Sequence, residues 1–138
     1  MSLLTSQPLI ISGLYASLTA LMLIVFAYRV VKLRRKHKIG LGNGENEALK
    51  LANRVHANLI ENAPMALVLF IIAESTGLAS VYLHLIGTLW LVARLLHAIG
   101  LTLGKGGYHF GRFWGVLLTW LVFLSLIVVN LSHFVSVL

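Results

Sequence analysis

From Pro8 to Tyr28 the sequence carries no charged side chain, and about 20 apolar residues are what a helix needs to cross the hydrocarbon core of a bilayer. Backbone amides and carbonyls find no partners in lipid, so such a segment must close its own hydrogen bonds as a helix. Three more apolar stretches follow, and together they predict spans over about 8–29, 56–74, 78–103 and 113–135. The fold class expected is therefore an all-α integral membrane protein, a four-helix up-down bundle forming one domain over 1–138. Composition agrees. Only 11% of residues are charged and mean hydropathy is +0.91, where a soluble domain carries about a quarter charged.

The net charge of +7 is informative through its placement. Arg29, Lys32, Arg34, Arg35, Lys36, Lys38, Lys50 and Arg54 lie between the first two apolar stretches, and Lys105 and Arg112 between the last two. Ser75-Thr76-Gly77, between the middle pair, carries none. Basic connections stay on the cytoplasmic side, so both termini are expected on the non-cytoplasmic side. In a bacterium this means a multi-pass inner-membrane protein. No basic stripe alternates with aromatics, which argues against nucleic acid as a partner and leaves membrane lipid. Cysteine is absent, so any thiol chemistry must use a substrate's sulfur. No basic residue precedes the first apolar run, so that run reads as a retained span and not a secretory signal.

Local signals refine the picture. Gly40-Leu41-Gly42-Asn43-Gly44 should break the first helix, and Glu45 and Glu47 should open the second, where negative charge complements the helix dipole. Pro64 should bend or loosen the second helix. The rows Ser12-Ala16-Ala20 and Gly13-Ser17 suit close helix packing in lipid, although ordinary span composition accounts for them equally well. Glu74 reads as a solvated cap, and His84 and His133 as boundary residues.

One stripe is costly. Arg54, Asn58 and Glu61 fall within roughly 60° of one another on a helix, at the mouth of the second span, where ionisable groups tend to be functional. Arg94 and His97 share a face of the third helix. Tyr108, His109 and Arg112 lie at the same end. Such a set suits a small anionic ligand bearing carboxylates and an amine. The rival reading is an internal ion-pair network that only orients helices. His56, His97 and His109 also admit a haem-binding bundle, but no His-x-x-Glu or His-Glu-x-x-His spacing occurs and no metal site is assigned.

The run Arg54-x-His56-x-Asn58-x-x-Glu61-Asn62-x-Pro64, preceded by Gly42-x-Gly44-Glu45-Asn46, resembles the microsomal glutathione transferase branch of the MAPEG superfamily, membrane-associated proteins in eicosanoid and glutathione metabolism. Arg94-x-x-His97 followed by Arg112 is similar to its prostaglandin E synthase branch, and the likeness extends over all four spans. The resemblance implies a homotrimer with glutathione as co-substrate, bound between subunits near the cytosolic face. Arg54, Asn58 and Glu61 would bind the glutathione backbone, with Arg94 and His97 lining the same pocket. Arg112 would be the catalytic residue, stabilising the thiolate. Several relatives have Tyr where this chain has Leu101, and Tyr108 is the expected substitute hydroxyl. The function implied is a glutathione-dependent transferase or peroxidase acting on apolar electrophiles. The alternative within the superfamily is a catalytically silent, lipid-binding or scaffold protein.

Overall fold

The computed structural model describes residues 8–138; residues 1–7, which begin the expected domain, lie outside the described residues. Among the described residues four helices follow one another, α1 (Ile10–His37), α2 (Glu47–Ser75), α3 (Ser80–Leu103) and α4 (Phe110–Ser136). Each is long and apolar enough to cross a membrane. The connections α1–α2 and α3–α4 lie together at one end, here the basic end, and the α2–α3 turn lies at the other.

The helix boundaries follow from local chemistry. Lys38 adopts a left-handed conformation after α1, and four basic residues occupy that helix's last turn, where positive charge complements the dipole. The start of α2 is later than expected. Glu45 has φ of 61° and lies outside the helix, and Asn46 caps it by accepting from the Leu49 amide at 2.9 Å. Helix α4 begins earlier than its apolar run, because His109 Nδ1 accepts from the Gly111 amide at 3.1 Å. Helix α2 runs unbroken through Pro64. Upstream of that proline, the Asn62 side chain donates to the Asn58 carbonyl at 2.8 Å.

Helices α2 and α3 form the middle of the bundle, with α1 and α4 on its flanks and not packed against each other. Helix α3 buries the broadest face, from Leu83 to Leu101. The main core joins Tyr15, Leu59, Phe70, Leu83, Trp90 and Leu126, and a smaller cluster of Val55, Ala98 and Leu101 sits at the basic end. The face of α1 turned inward is Ser12, Tyr15 and Thr19. Of the small-residue rows only Ser12 is buried, while Gly13, Ser17 and Ala20 are exposed. What brings α1 close to α3 is Gly87, whose missing side chain leaves room for the Tyr15 ring.

Glu74 is no solvated cap. It is buried, and its carboxylate accepts from the Ile11 amide at 2.9 Å and the Ser12 amide at 2.6 Å. The end of α2 thus neutralises the start of α1, whose first amides have no partner within their own helix. Nearby, the Tyr15 hydroxyl lies 3.2 Å from His84 Nδ1 and 3.0 Å from both the His84 carbonyl and Thr88 Oγ1. His84 therefore has a specific partner beyond its boundary position. Removing the carboxylate in Glu74→Ala should lower unfolding free energy by about 2 kcal/mol, seen as a reduced Tm of the purified protein in detergent. Glu74→Gln, which keeps one acceptor, should fall between. An unchanged Tm for Glu74→Ala would mean that this contact contributes nothing.

Candidate functional site

Two turns of α2 separate Arg54 from Glu61, and their side chains bridge that gap through a forked pair, Nη1 to Oε1 at 2.8 Å and Nη2 to Oε2 at 3.1 Å. Both side chains are about half exposed, at 54% and 52%. A solvent-screened pair of this kind is weak, so a ligand can exchange with either partner at small cost. Asn58 lies between them in sequence but turns to a different neighbour. Its Oδ1 accepts from Arg94 Nη1 at 2.6 Å. Arginine has no acceptor, so the amide oxygen must face it. The Asn58 NH2 is left with no protein partner among the described residues.

Arg94 is the hub. It projects from α3 with 3% exposure and touches three helices. Besides Asn58 on α2, its Nη2 donates to the Gly115 carbonyl at 3.3 Å and to Thr119 Oγ1 on α4. Its guanidinium carbon lies 5.6 Å from the centre of the Trp90 ring, a cation–π geometry, and Trp90 is held in turn by donating to Thr19 Oγ1 at 3.0 Å. Close approach of α3 and α4 makes this reach possible. A methyl group on Gly115 would stand 2.5 Å from the His97 amide nitrogen, and one on Gly111 would stand 2.9 Å from the Leu96 carbonyl. No carboxylate meets Arg94 among the described residues, and its Nε has no partner.

His97, one turn along from Arg94, is 6% exposed. Arg94 shares its buried helix face, and the other two arginines expected from the sequence, Arg54 and Arg112, lie on α2 and α4 at the same basic end. They are not equivalent. Arg54 is exposed, Arg94 is internal, and Arg112 folds back on its own loop, donating to the Gly106 carbonyl and to the Gly107 carbonyl at 3.0 Å. Tyr108 is 83% exposed and Leu101 is 3% exposed. Leu101 belongs to the apolar cluster at the basic end, whereas Tyr108 and Arg112 share the head of a groove of about 350 Å³. That groove continues along α4 past Phe113, Val116 and Trp120. His109 is committed to capping α4.

Comparison with known proteins gives this arrangement a family. The MAPEG family profile matches residues 12–132, which covers all but the ends of the four-helix unit. The chain belongs to the MAPEG family. It is also 34% identical over 127 residues to the inner membrane protein YecN of Escherichia coli strain K12, with 89% of this chain and 92% of YecN aligned. YecN of the strain CFT073 matches to the same extent. With its four apolar helices, this MAPEG chain is a multi-pass integral membrane protein.

Three contributors to the site escape the motif of this MAPEG chain, namely Thr119, Gly115 and Trp90. The first two carry a legible signal, since Gly111, Gly115 and Thr119 recur every four residues as small-residue helix contacts do. Trp90 reads from sequence as a packing aromatic and gives no hint of its place over Arg94. The different burial of the polar residues sets an order of stability effects. Asn58→Leu, which strips an acceptor from a buried guanidinium, should cost about 2 kcal/mol. Arg54→Ala should cost under about 1 kcal/mol. Thermal unfolding in detergent reads both, and the reverse order would place the structural burden on the exposed pair instead.

Proposed function

We propose that this protein is a glutathione-dependent membrane transferase that works as a homotrimer, with its basic end in the cytoplasm and both termini on the opposite side. The observation that carries the reading is the buried guanidinium of Arg94, which has no carboxylate against it among the described residues. Buried charges are ordinarily paired. Among the residues assigned to the site, Arg54, Arg94 and Arg112 supply three positive charges and Glu61 one negative charge, leaving two positive. Glutathione as its thiolate carries two carboxylates, one thiolate and one ammonium, leaving two negative. The balance fits.

In this reading Arg54 takes a glutathione carboxylate while Glu61 receives the ammonium, their mutual pair being weak enough to open. Asn58, oriented by Arg94, offers its free NH2 to the peptide backbone. His97 and Tyr108 border the same region. Arg112 has guanidinium hydrogens beyond those used on the loop carbonyls, and a cation beside a thiol favours the thiolate, which is the nucleophile. The sulfur attacks the electrophilic carbon, a C–S bond forms, and the leaving group departs with the displaced electron pair. An apolar electrophile fits the α4 groove that opens beside Arg112. The protein supplies proximity and a fixed field.

One observation favours a catalytically silent member instead. Arg112 is tied to the carbonyls of Gly106 and Gly107, and the position of a possible hydroxyl is the buried Leu101. The two readings separate in one assay. The purified protein in detergent should conjugate glutathione to chlorodinitrobenzene, and Arg112→Ala should lower the rate by about a hundredfold while glutathione still raises Tm. Glutathione stabilisation without conjugation by the natural sequence would select the silent protein. An unchanged rate in Arg112→Ala would remove Arg112 from the chemistry.

A further inference from the structure

We infer that the groove between α1 and α3 at the basic end is a binding site for one anionic diacyl phospholipid. The groove measures about 270 Å³ and is lined by Phe26, Arg29, Leu95, Ile99, Thr102 and Leu103, with Ala98 at its floor. It has a polar head and an apolar body. At its head, Arg29 Nη1 donates to Thr102 Oγ1 at 3.1 Å, which fixes the guanidinium between the two helices. Leu95, Ile99 and Leu103 recur every four residues along α3, Leu103 beside that head and the other two deeper, and are 45%, 53% and 65% exposed. An acyl chain has the shape and chemistry to cover such a strip.

Depth and charge identify the occupant. Helix α1 is uncharged from Ile10 to Tyr28, a length of roughly 28 Å at 1.5 Å per residue, which is close to the hydrocarbon thickness. Arg29, the first charge after that run, is thereby placed at the level of the headgroups. Lys36 falls about 20° and Lys32 about 60° from Arg29 around α1, so two more cations stand above the same groove, and both are exposed. All four carboxylate side chains of the protein are at Glu45, Glu47, Glu61 and Glu74. Glu47 pairs with Lys50 and Glu61 with Arg54, while Glu74 caps α1 at the far end. None pairs with Arg29, Lys32 or Lys36 among the described residues. A lipid phosphate meets this excess, and its chains cover the apolar strip, with no dependence on glutathione.

The test is native mass spectrometry of the purified protein given equal amounts of dioleoyl phosphatidylglycerol and dioleoyl phosphatidylcholine in detergent. The anionic lipid should be retained in about hundredfold preference, and each basic side chain removed should reduce that preference roughly fivefold. Arg29→Gln and Lys36→Gln both remove a cation, and Lys36, being exposed, gives a reading even where the first variant unfolds. Ile99→Trp fills the apolar strip and should lower retention of both lipids with the charges intact. Equal retention of the two lipids would overturn the proposal, as would an unchanged preference in Lys36→Gln and Arg29→Gln. Displacement of the anionic lipid by inorganic phosphate alone would make this a free-anion site and overturn the lipid assignment. Activity toward chlorodinitrobenzene is a separate readout, so failure here leaves the transferase reading standing.

Discussion

A single guanidinium joins three of the four helices. Arg94 lies inside an apolar bundle, where an unsatisfied charge is costly, and every acceptor it uses comes from another helix. This makes the relative position of α2, α3 and α4 a matter of hydrogen-bond geometry as well as side-chain packing. Lipid tails are as apolar as leucine, so hydrophobicity alone does little to hold spans together once they are inserted. Directional contacts such as those of Arg94 therefore have a larger share in specifying the bundle than comparable contacts in a soluble core.

The same contact connects architecture with the candidate site. By holding the Asn58 oxygen, Arg94 determines which side of that amide is left free. The exposed Arg54–Glu61 pair beside it has the opposite character, being solvent-screened and weakly bound. One layer of polar residues is thus rigid and internal, and the next is exchangeable and external. This division is suited to recognising a charged molecule without rebuilding the bundle on each binding event.

Much of this architecture can be read in the chain because lipid imposes a simple rule on backbone polarity. The uncharged run from Pro8 to Tyr28 and its three successors announce helices, and the basic residues identify the connections. The stripe Arg54, Asn58 and Glu61 is likewise visible from spacing, as is the pair Arg94 and His97. What spacing could not convey is who pairs with whom. Two carboxylates illustrate the difference. Glu61 meets a residue two turns away on its own helix, which helical periodicity anticipates, whereas Glu74, which reads from sequence as a solvated cap, meets amides more than 60 residues earlier. Nor does spacing show that Arg94 is buried against acceptors from α2 and α4, since the approach of α4 depends on the absence of side chains at Gly111 and Gly115. Helix boundaries were displaced for a smaller reason, since Asn46 and His109 act through capping atoms that hydropathy does not register.

The union of Glu74 with the start of α1 has a consequence for biosynthesis. A chain emerges from its N-terminus, so α1 is made while the residue that completes its first turn is still to be synthesised. Until α2 is nearly finished, the amides of Ile11 and Ser12 must find water or headgroups. When Glu74 arrives, the first hairpin closes at the end remote from its connecting loop. Helix α1 is made before α2 but completed only with it, and the hairpin is the smallest unit in which both are whole.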